Sequence, residues 1–482
     1  MNFSLIWPEV LIAALGFIIL TVDLVLPRSQ ERRRNVVTGS IAAAGMLAIL
    51  VFSIFYLRGR VGVLGADLYL ADRFALAFKF MFLGAGIAVV LMSIEYVGSR
   101  IRHPGEYYAL LVFSVLGAVL LAGAGDLLVA YISLELLSFS LYILVAMSRG
   151  DRRSAEASTK YILLGALSSA LMLYGISMLY GPSGTTSFRG LAGFLFYNFS
   201  PTVAVGFALF VAGLGFKLSV VPFHLWAPDV YEGAPTPVTA HISVLSKAAA
   251  FALALRFFIE AGSPTHERWA LALAVLAALT MAVGTLTALP QRNIKRLMAY
   301  SSIAQVGFVL MGIVANTPLA TDAVLLHLAG YAFTNLAAFM AIIALEHRTG
   351  NEEIAGFAGL AARAPFAAMV LSAALFSLAG LPFFAGFVTK FYLFTATADA
   401  GYIWLVVVAV LGSLISLYYY IMVMKQMYMG TAADGKPLAV SRLTFATLLL
   451  LFAGIVAIGI YPAPFAEALE SATAVFAPFA GR

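Results

Sequence analysis

Long apolar runs separated by short polar clusters repeat along the whole chain. A bilayer core takes about 20 apolar residues per helix. On that ruler the pattern predicts 14 spans, at roughly 5–26, 36–57, 74–97, 107–123, 127–147, 158–180, 201–222, 238–260, 269–289, 297–315, 321–345, 366–396, 402–425 and 442–462. Two spans carry helix breakers. Pro222, Pro228, Gly233, Pro235 and Pro237 follow Lys217, and Gly380, Pro382 and Gly386 precede Lys390 in span 12. Irregular backbone at membrane depth is tolerated only where protein or a water-filled cavity covers it. Broken helices at corresponding positions of two halves mark a transport site.

The breaks do correspond. Taking spans 4–8 and 9–13 as two five-helix units, the interrupted helix is the fourth in each. Five is odd, so the second unit runs inverted. The expected fold is an all-α polytopic membrane protein with two inverted five-helix repeats and broken helices at spans 7 and 12. The chain then divides into residues 1–105 (helices 1–3), 106–260 (repeat 1), 269–430 (repeat 2) and 441–482 (helix 14 and tail).

Composition agrees with this reading: 62% of residues are hydrophobic and 11% charged, against about 25% charged in soluble proteins. The net charge of +6 is no nucleic-acid signal, because the basic residues sit in short loops. With the N-terminus outside, the inner loops hold Arg28, Arg32, Arg33, Arg34, Arg100, Arg102, Arg149, Arg152, Arg153, Arg292, Lys295, Arg296, Arg348, Arg363, Lys436 and Arg442. The outer loops hold little beyond Arg58, Arg60, Arg189, Arg268 and Arg482. The positive-inside bias therefore puts both termini outside. The N-terminal run lacks a basic flank and reads as a first span rather than a cleaved signal. The absence of cysteine excludes iron–sulfur ligation, thiolate catalysis and disulfides in this chain. The six histidines form no evident haem-ligand pair. No P-loop, dinucleotide fingerprint or H-E-x-x-H is present.

Against this apolar background, Lys217, Lys247 and Lys390 stand inside spans, with Glu135 as their one deeply placed acidic counterpart. A cation at bilayer centre costs at least about 3 kcal/mol and is usually functional. The reading is a set of proton carriers, since a lysine kept from water gives up its proton more readily. The bland alternative is snorkelling toward a helix end. Tyr131, Glu135, Ser138 and Tyr142 share one face of span 5, which suits a carboxylate that pairs with Lys217 or a static ion pair. His327, Tyr331, Thr334 and Asn335 form a similar stripe on span 11. His327 then serves as a relay or as a buried, hydrogen-bonded histidine. His224 and His241 lie toward the inner side, either feeding protons inward or sitting at the interface. Asp229 and Glu232 read as solvated loop charges or helix caps, and Asp126 as the N-cap of span 5. Ser301, Ser302 and Gln305 on span 10 carry water or bond helices together.

Three blocks resemble a known family. GFKLSVVPFHLWAPDVYEGAPTPVTAHISVLSKAAA (215–250), KRLMAYSSIAQVGFVLMG (295–312) and LAGLPFFAGFVTKFYLF (378–394) are similar to the subunit N family of respiratory complex I, the proton-translocating NADH:quinone oxidoreductase. The sister subunits L and M and the cation/proton antiporters typically read Met-Glu-Gly-Pro-Thr-Pro where this chain has Val-Tyr-Glu-Gly-Ala-Pro-Thr-Pro. Subunit M usually has glutamate at the position of Lys390, and subunit L a long lateral helix. The resemblance implies a proton-channel subunit of a translocase, in which Glu135 pairs with Lys217, Lys247 is the central lysine and Lys390 leads to the outer exit. It implies no cofactor in this chain, with NADH, FMN, iron–sulfur clusters and quinone held by other subunits. Implied partners are the L- and M-type antiporter-like subunits, the small K, J and A types, the quinone-site H type and the lipid of a bacterial plasma membrane. The rivals are a stand-alone cation/proton antiporter, the equivalent subunit of a photosynthetic-type complex, a polytopic transferase and a space-filling scaffold.

Overall fold

The computed structural model describes residues 3–27, 29–148, 150–432 and 436–479, with the backbone alone for Ser99, His347, Arg348 and Thr349. Arg28, Arg149 and Arg482, and the side chain of Arg348, which entered the orientation argument, lie outside the described residues.

The described chain is helical almost throughout. In order it runs α1 (Trp7–Val25), α2 (Glu31–Tyr56), a small antiparallel hairpin β1 (Gly62–Leu64) and β2 (Tyr69–Ala71), α3 (Arg73–Arg100), α4 (Pro104–Gly123), α5 (Leu127–Val145), α6 (Arg152–Ser183), α7 (Phe188–Tyr197), α8 (Pro201–Leu218), α9 (Trp226–Gly233), α10 (Thr236–His241) and α11 (Lys247–Leu255). It continues with α12 (His266–Ala288), α13 (Ile294–Ala315), α14 (Pro318–Thr349), α15 (Leu360–Arg363), α16 (Pro365–Ala379), α17 (Ala385–Asp399), α18 (Ile403–Met429), α19 (Arg442–Ile460) and α20 (Ala463–Thr473). Among the described residues 13 helices are long and apolar enough to cross a membrane, and α16 is a shorter apolar helix. Counting α16 and α17 as one interrupted span reproduces the 14 expected.

Local chemistry sets the ends. Asp126 is the N-cap of α5, accepting from the backbone N–H of Leu128 at 2.8 Å. Pro201 and Pro365 open α8 and α16, where no intrahelical N–H is required. α8 stops at Ser219 in the left-handed region, and α16 at Gly380 with φ +88°. Gly386 packs so tightly on α16 that a Cβ there would lie 1.7 Å from the Ser377 carbonyl oxygen. The second break therefore depends on two glycines.

Burial sorts the helices into layers. The apolar window of Thr236–Ala261 is wholly buried, and α13 and α14 nearly so, whereas only a third of the corresponding window is buried in α2, α6, α18 and α19. The latter lie on the outside of the helix bundle. The former make a core that holds the polar side chains away from lipid, as intramembrane ionisable groups require. The central span is also irregular. Ile242–Ser246 and Arg256–Ala261 are π-helical turns, the first ending directly at Lys247. Such turns are rare and cluster at functional sites; apolar patterning had predicted a regular helix here.

Candidate functional site

Lys217 ends α8, where the broken helix brings α9 back across it. Its Nζ lies 5.4 Å from the ring centroids of both Tyr142 and Tyr161, within cation–π range. Trp226, the first residue of α9, stacks on Tyr161 at 4.6 Å and donates its indole N–H to the Phe216 carbonyl at 2.8 Å. Glu135 does not reach this box to form an ion pair. It accepts a hydrogen bond from Ser169, and Lys217 Nζ has no hydrogen-bond partner among the described residues. The two groups that the sequence suggested as a pair are held apart here.

Lys247 follows the π-turn and donates to Ser302 Oγ of α13 at 2.6 Å. Tyr331 of α14 donates to the same oxygen at 2.9 Å, and the Tyr231 hydroxyl lies 3.3 Å from it. Ser302 is thus a shared acceptor for an amine and a phenol. One turn along α14, the His327 ring lies parallel to that of Tyr331, centroids 6.5 Å apart, and its Nδ1 is 3.0 Å from Thr389 Oγ1. The next residue is Lys390. Its Nζ donates to the Leu378 carbonyl at 2.7 Å and to Ser413 Oγ at 3.0 Å, and lies 4.5 Å from the Phe308 centroid. The carbonyl is available because the helix is broken after α16. Gln305 donates to the same carbonyl at 3.1 Å.

Lys247, His327 and Lys390 are therefore brought into one row by Ser302, Tyr331 and Thr389. The remaining members of the stripes are tied in: Asn335 donates to Ser243 Oγ at 2.7 Å, Thr334 lies 2.9 Å from Ser377 Oγ, and Ser301 contacts Tyr420 at 2.5 Å. Tyr161, whose ring lies against Lys217, and Ser246, next to Lys247 in the chain, each carry a buried hydroxyl.

His241 is buried, with Nε2 2.6 Å from Ser114 Oγ of α4. It joins α10 to α4 rather than touching Lys247 directly. His224 lies in the turn between α8 and α9, half-buried; burial lowers its pKa below the usual value, partly offset by the Pro222 backbone. Asp229 and Glu232 are neither free loop charges nor caps. Arg296 donates to both at 2.8 Å, and Lys160 donates to Asp229 at 2.7 Å. Burial acts to raise the Asp229 carboxyl, but these two cations outweigh it and hold it below its ordinary value.

Sequence reasoning overlooked a second set of buried charges. Glu135 lies mid-span, but it is not the only buried carboxylate, and others sit at span ends. Glu9, Glu260 and Glu346 are at most 3% exposed, whereas Glu135 is only partly buried. Lys79 pairs with Glu9 at 2.7 Å, and Tyr69 donates to the same oxygen at 2.5 Å. Arg256, fully buried, is bonded to Asp72, to Glu260 and to the Ala122 carbonyl, each at 2.8–2.9 Å. Glu346 binds Arg100 and Thr236. Lys79 and Arg256 lie within about two turns of a span end, where a long cationic side chain can reach the interface and so attracts no notice. The i, i+4 spacing of Arg256 and Glu260 was the available signal.

Interrupted helices packed around an internal row of polar and basic side chains define a polytopic membrane protein of the antiporter-like class. Residues 124–416 match the family described as NADH:quinone oxidoreductase/Mrp antiporter, TM, and the chain belongs to that family. It is 44% identical over 484 residues to NADH-quinone oxidoreductase subunit N of Moorella thermoacetica, covering 99% of this chain and 100% of that one. It is 41% identical over 434 residues to NAD(P)H-quinone oxidoreductase subunit 2 of Trichodesmium erythraeum, covering 89% of this chain and 81% of the other. A chain of the respiratory complex I from Thermus thermophilus superposes with TM-score 0.80 at 29% identity, covering 96% of this chain and 99% of that one.

Proposed function

We propose that this chain is a proton-translocating, antiporter-like membrane subunit of an NADH:quinone oxidoreductase. The observation that carries the reading is the row from Lys247 through Ser302, Tyr331, His327 and Thr389 to Lys390, in which each amine has neutral acceptors and, among the described residues, no carboxylate partner. Ammonium groups bound only to hydroxyls and carbonyls change the local charge whenever they gain or lose a proton, so they serve as carriers and not as fixed struts. Electron transfer from NADH to quinone takes place elsewhere in the complex, on FMN and iron–sulfur clusters held by other subunits. The whole assembly is the enzyme.

Protons enter from the inner side near His224 and His241 and load Lys247. The Glu135–Lys217 pair acts as the gate. Drawn closer, the carboxylate favours the charged lysine more strongly; farther apart, it favours it less. Neighbouring subunits drive that change, and the proton passes by way of His327 to Lys390 and out. Residues 106–260 and 269–430 are the two inverted units, so that the α8–α9 and α16–α17 breaks are equivalent. The membrane is a bacterial plasma membrane with both termini outside. The partners are the L-, M-, K-, J-, A- and H-type subunits.

Lys217→Ala is expected to abolish or severely reduce NADH-driven proton uptake by inverted membrane vesicles while the complex still assembles. Normal pumping in an assembled Lys217→Ala complex rules out this role. Purification in mild detergent separates the rival: a lone chain indicates a stand-alone cation/proton antiporter, and a large NADH-oxidising assembly indicates the proposed one.

A further inference from the structure

Between α3, α14, α19 and α20 lies a cavity of about 950 Å³, outside the proton row and walled mainly by apolar side chains. Phe55, Ile54 and Leu450 line it and are exposed at 73%, 45% and 64%, so it opens onto the outer surface of the helix bundle. Its polar end is basic. Arg58, Arg60 and Arg73 all line it and all are exposed. Among the described residues none of the three has a carboxylate within ion-pair distance; Arg60 alone lies against a ring, that of Tyr56 at 4.3 Å. The other charged groups on the wall are already engaged, Asp72 with Arg256 and Lys79 with Glu9. Arg58 and Arg60 also belong to the few arginines that the positive-inside bias leaves on the outer side, so their presence calls for a local reason.

The geometry points to a binding site for one anionic phospholipid, its headgroup phosphate on Arg58, Arg60 and Arg73 and its acyl chains in the cavity between α3 and α14. Guanidinium groups match phosphate oxygens in fork geometry, and basic side chains near the bilayer surface attract anionic headgroups. Gly84 of α3 lines the apolar part, and a Cβ there would meet nothing within 4 Å. A larger residue at that position fills the cavity without clashing at its base.

The test uses the intact complex, purified through a tag on this chain and reconstituted in phosphatidylcholine vesicles. The probes are phosphatidylglycerol and phosphatidylcholine carrying a photoactivatable group in one acyl chain, with cross-linked peptides mapped by mass spectrometry. Peptides of α3 and α14 are expected to label about tenfold more with phosphatidylglycerol than with phosphatidylcholine. The Arg58→Gln/Arg60→Gln/Arg73→Gln variant should lose that preference. Gly84→Trp should reduce labelling of α3 and α14 by both lipids while the lipid-facing α18 still labels. Equal labelling of the wild-type cavity by the two lipids overturns the proposal. So does absence of labelling accompanied by protein–protein cross-links from the cavity wall to a neighbouring subunit.

Discussion

Lys79 and Lys247 are equally buried, at 2% exposure, and stand in opposite electrostatic settings. Lys79 of α3 meets the carboxylate of Glu9 at 2.7 Å; Lys247 meets the hydroxyl of Ser302 at 2.6 Å. The contrast extends to whole regions. Around α3 and the end of the central span, Lys79, Arg256 and Arg100 are each matched by acids. Along the central row, Lys217, Lys247 and Lys390 lie against rings, hydroxyls and a carbonyl. A buried cation with a buried anion is neutral as a pair and resists any change, because removing either charge strands the other. A buried amine among neutral acceptors carries no such lock. Depth in the membrane alone does not identify a proton carrier; the charge of its partner does.

The largest expected effect breaks the matched region. Lys79→Met leaves Glu9 buried and unpaired, which costs about 3–5 kcal/mol. Its complex should be poorly assembled on native gels. Lys247→Met leaves no carboxylate behind and should cost no more than the bond to Ser302, about 1.5–3 kcal/mol, less than Lys79→Met. Adding Glu9→Leu to Lys79→Met should recover most of the loss, as a double-mutant cycle on the thermal midpoint of the subunit will show.

Ser302→Ala sharpens the other side. It removes the acceptor shared by Lys247 and Tyr331, and hydrogen bonds to charged groups contribute about 1.5–3 kcal/mol. Initial proton uptake by vesicles should slow by roughly tenfold or more, with Ser302→Thr restoring most of it. The smallest effect concerns the surface clamp of Asp229, Arg296 and Lys160. The Asp229 pKa is held below its ordinary value, so the clamp's stabilisation is complete above the unfolded-chain pKa and is lost as pH falls through the lower, folded one. Because the group is partly exposed, Asp229→Asn should cost no more than about 1 kcal/mol at neutral pH. Thermal midpoints of wild type and variant should converge as the pH is taken below the carboxylate range.

Much of this architecture is written in apolar periodicity. The span boundaries agree with the helices to within a few residues, and both interruptions fall at their Pro and Gly clusters, because breakers act locally. Lys247 was legible for the same reason, a charge far from either end of an apolar run, and Lys217 and Lys390 because each adjoins one of the two breaks. What patterning missed is tertiary. The π-turn before Lys247 leaves no mark in hydrophobicity. Tyr161, Trp226 and Tyr231 read as ordinary aromatic anchors, and only packing shows that they surround two of the lysines. Lys79 and Arg256 went unremarked, because Glu9 and Asp72, which lie beside them, are far away in the chain. The Glu135–Lys217 spacing could not be read from separate helices; here Glu135 bonds Ser169 instead.

The central claim is that the amines with no carboxylate in contact, Lys217 at the gate and Lys247 and Lys390 along the row, serve proton transfer and the matched ones do not. Protons pumped per NADH oxidised, measured in parallel on assembled Lys217→Ala and Lys79→Met/Glu9→Leu complexes in vesicles, tests it most directly. The account predicts a severe loss for Lys217→Ala and a near-normal ratio for the double variant. A normal ratio in assembled Lys217→Ala, or the same severe loss in the double variant, would contradict it.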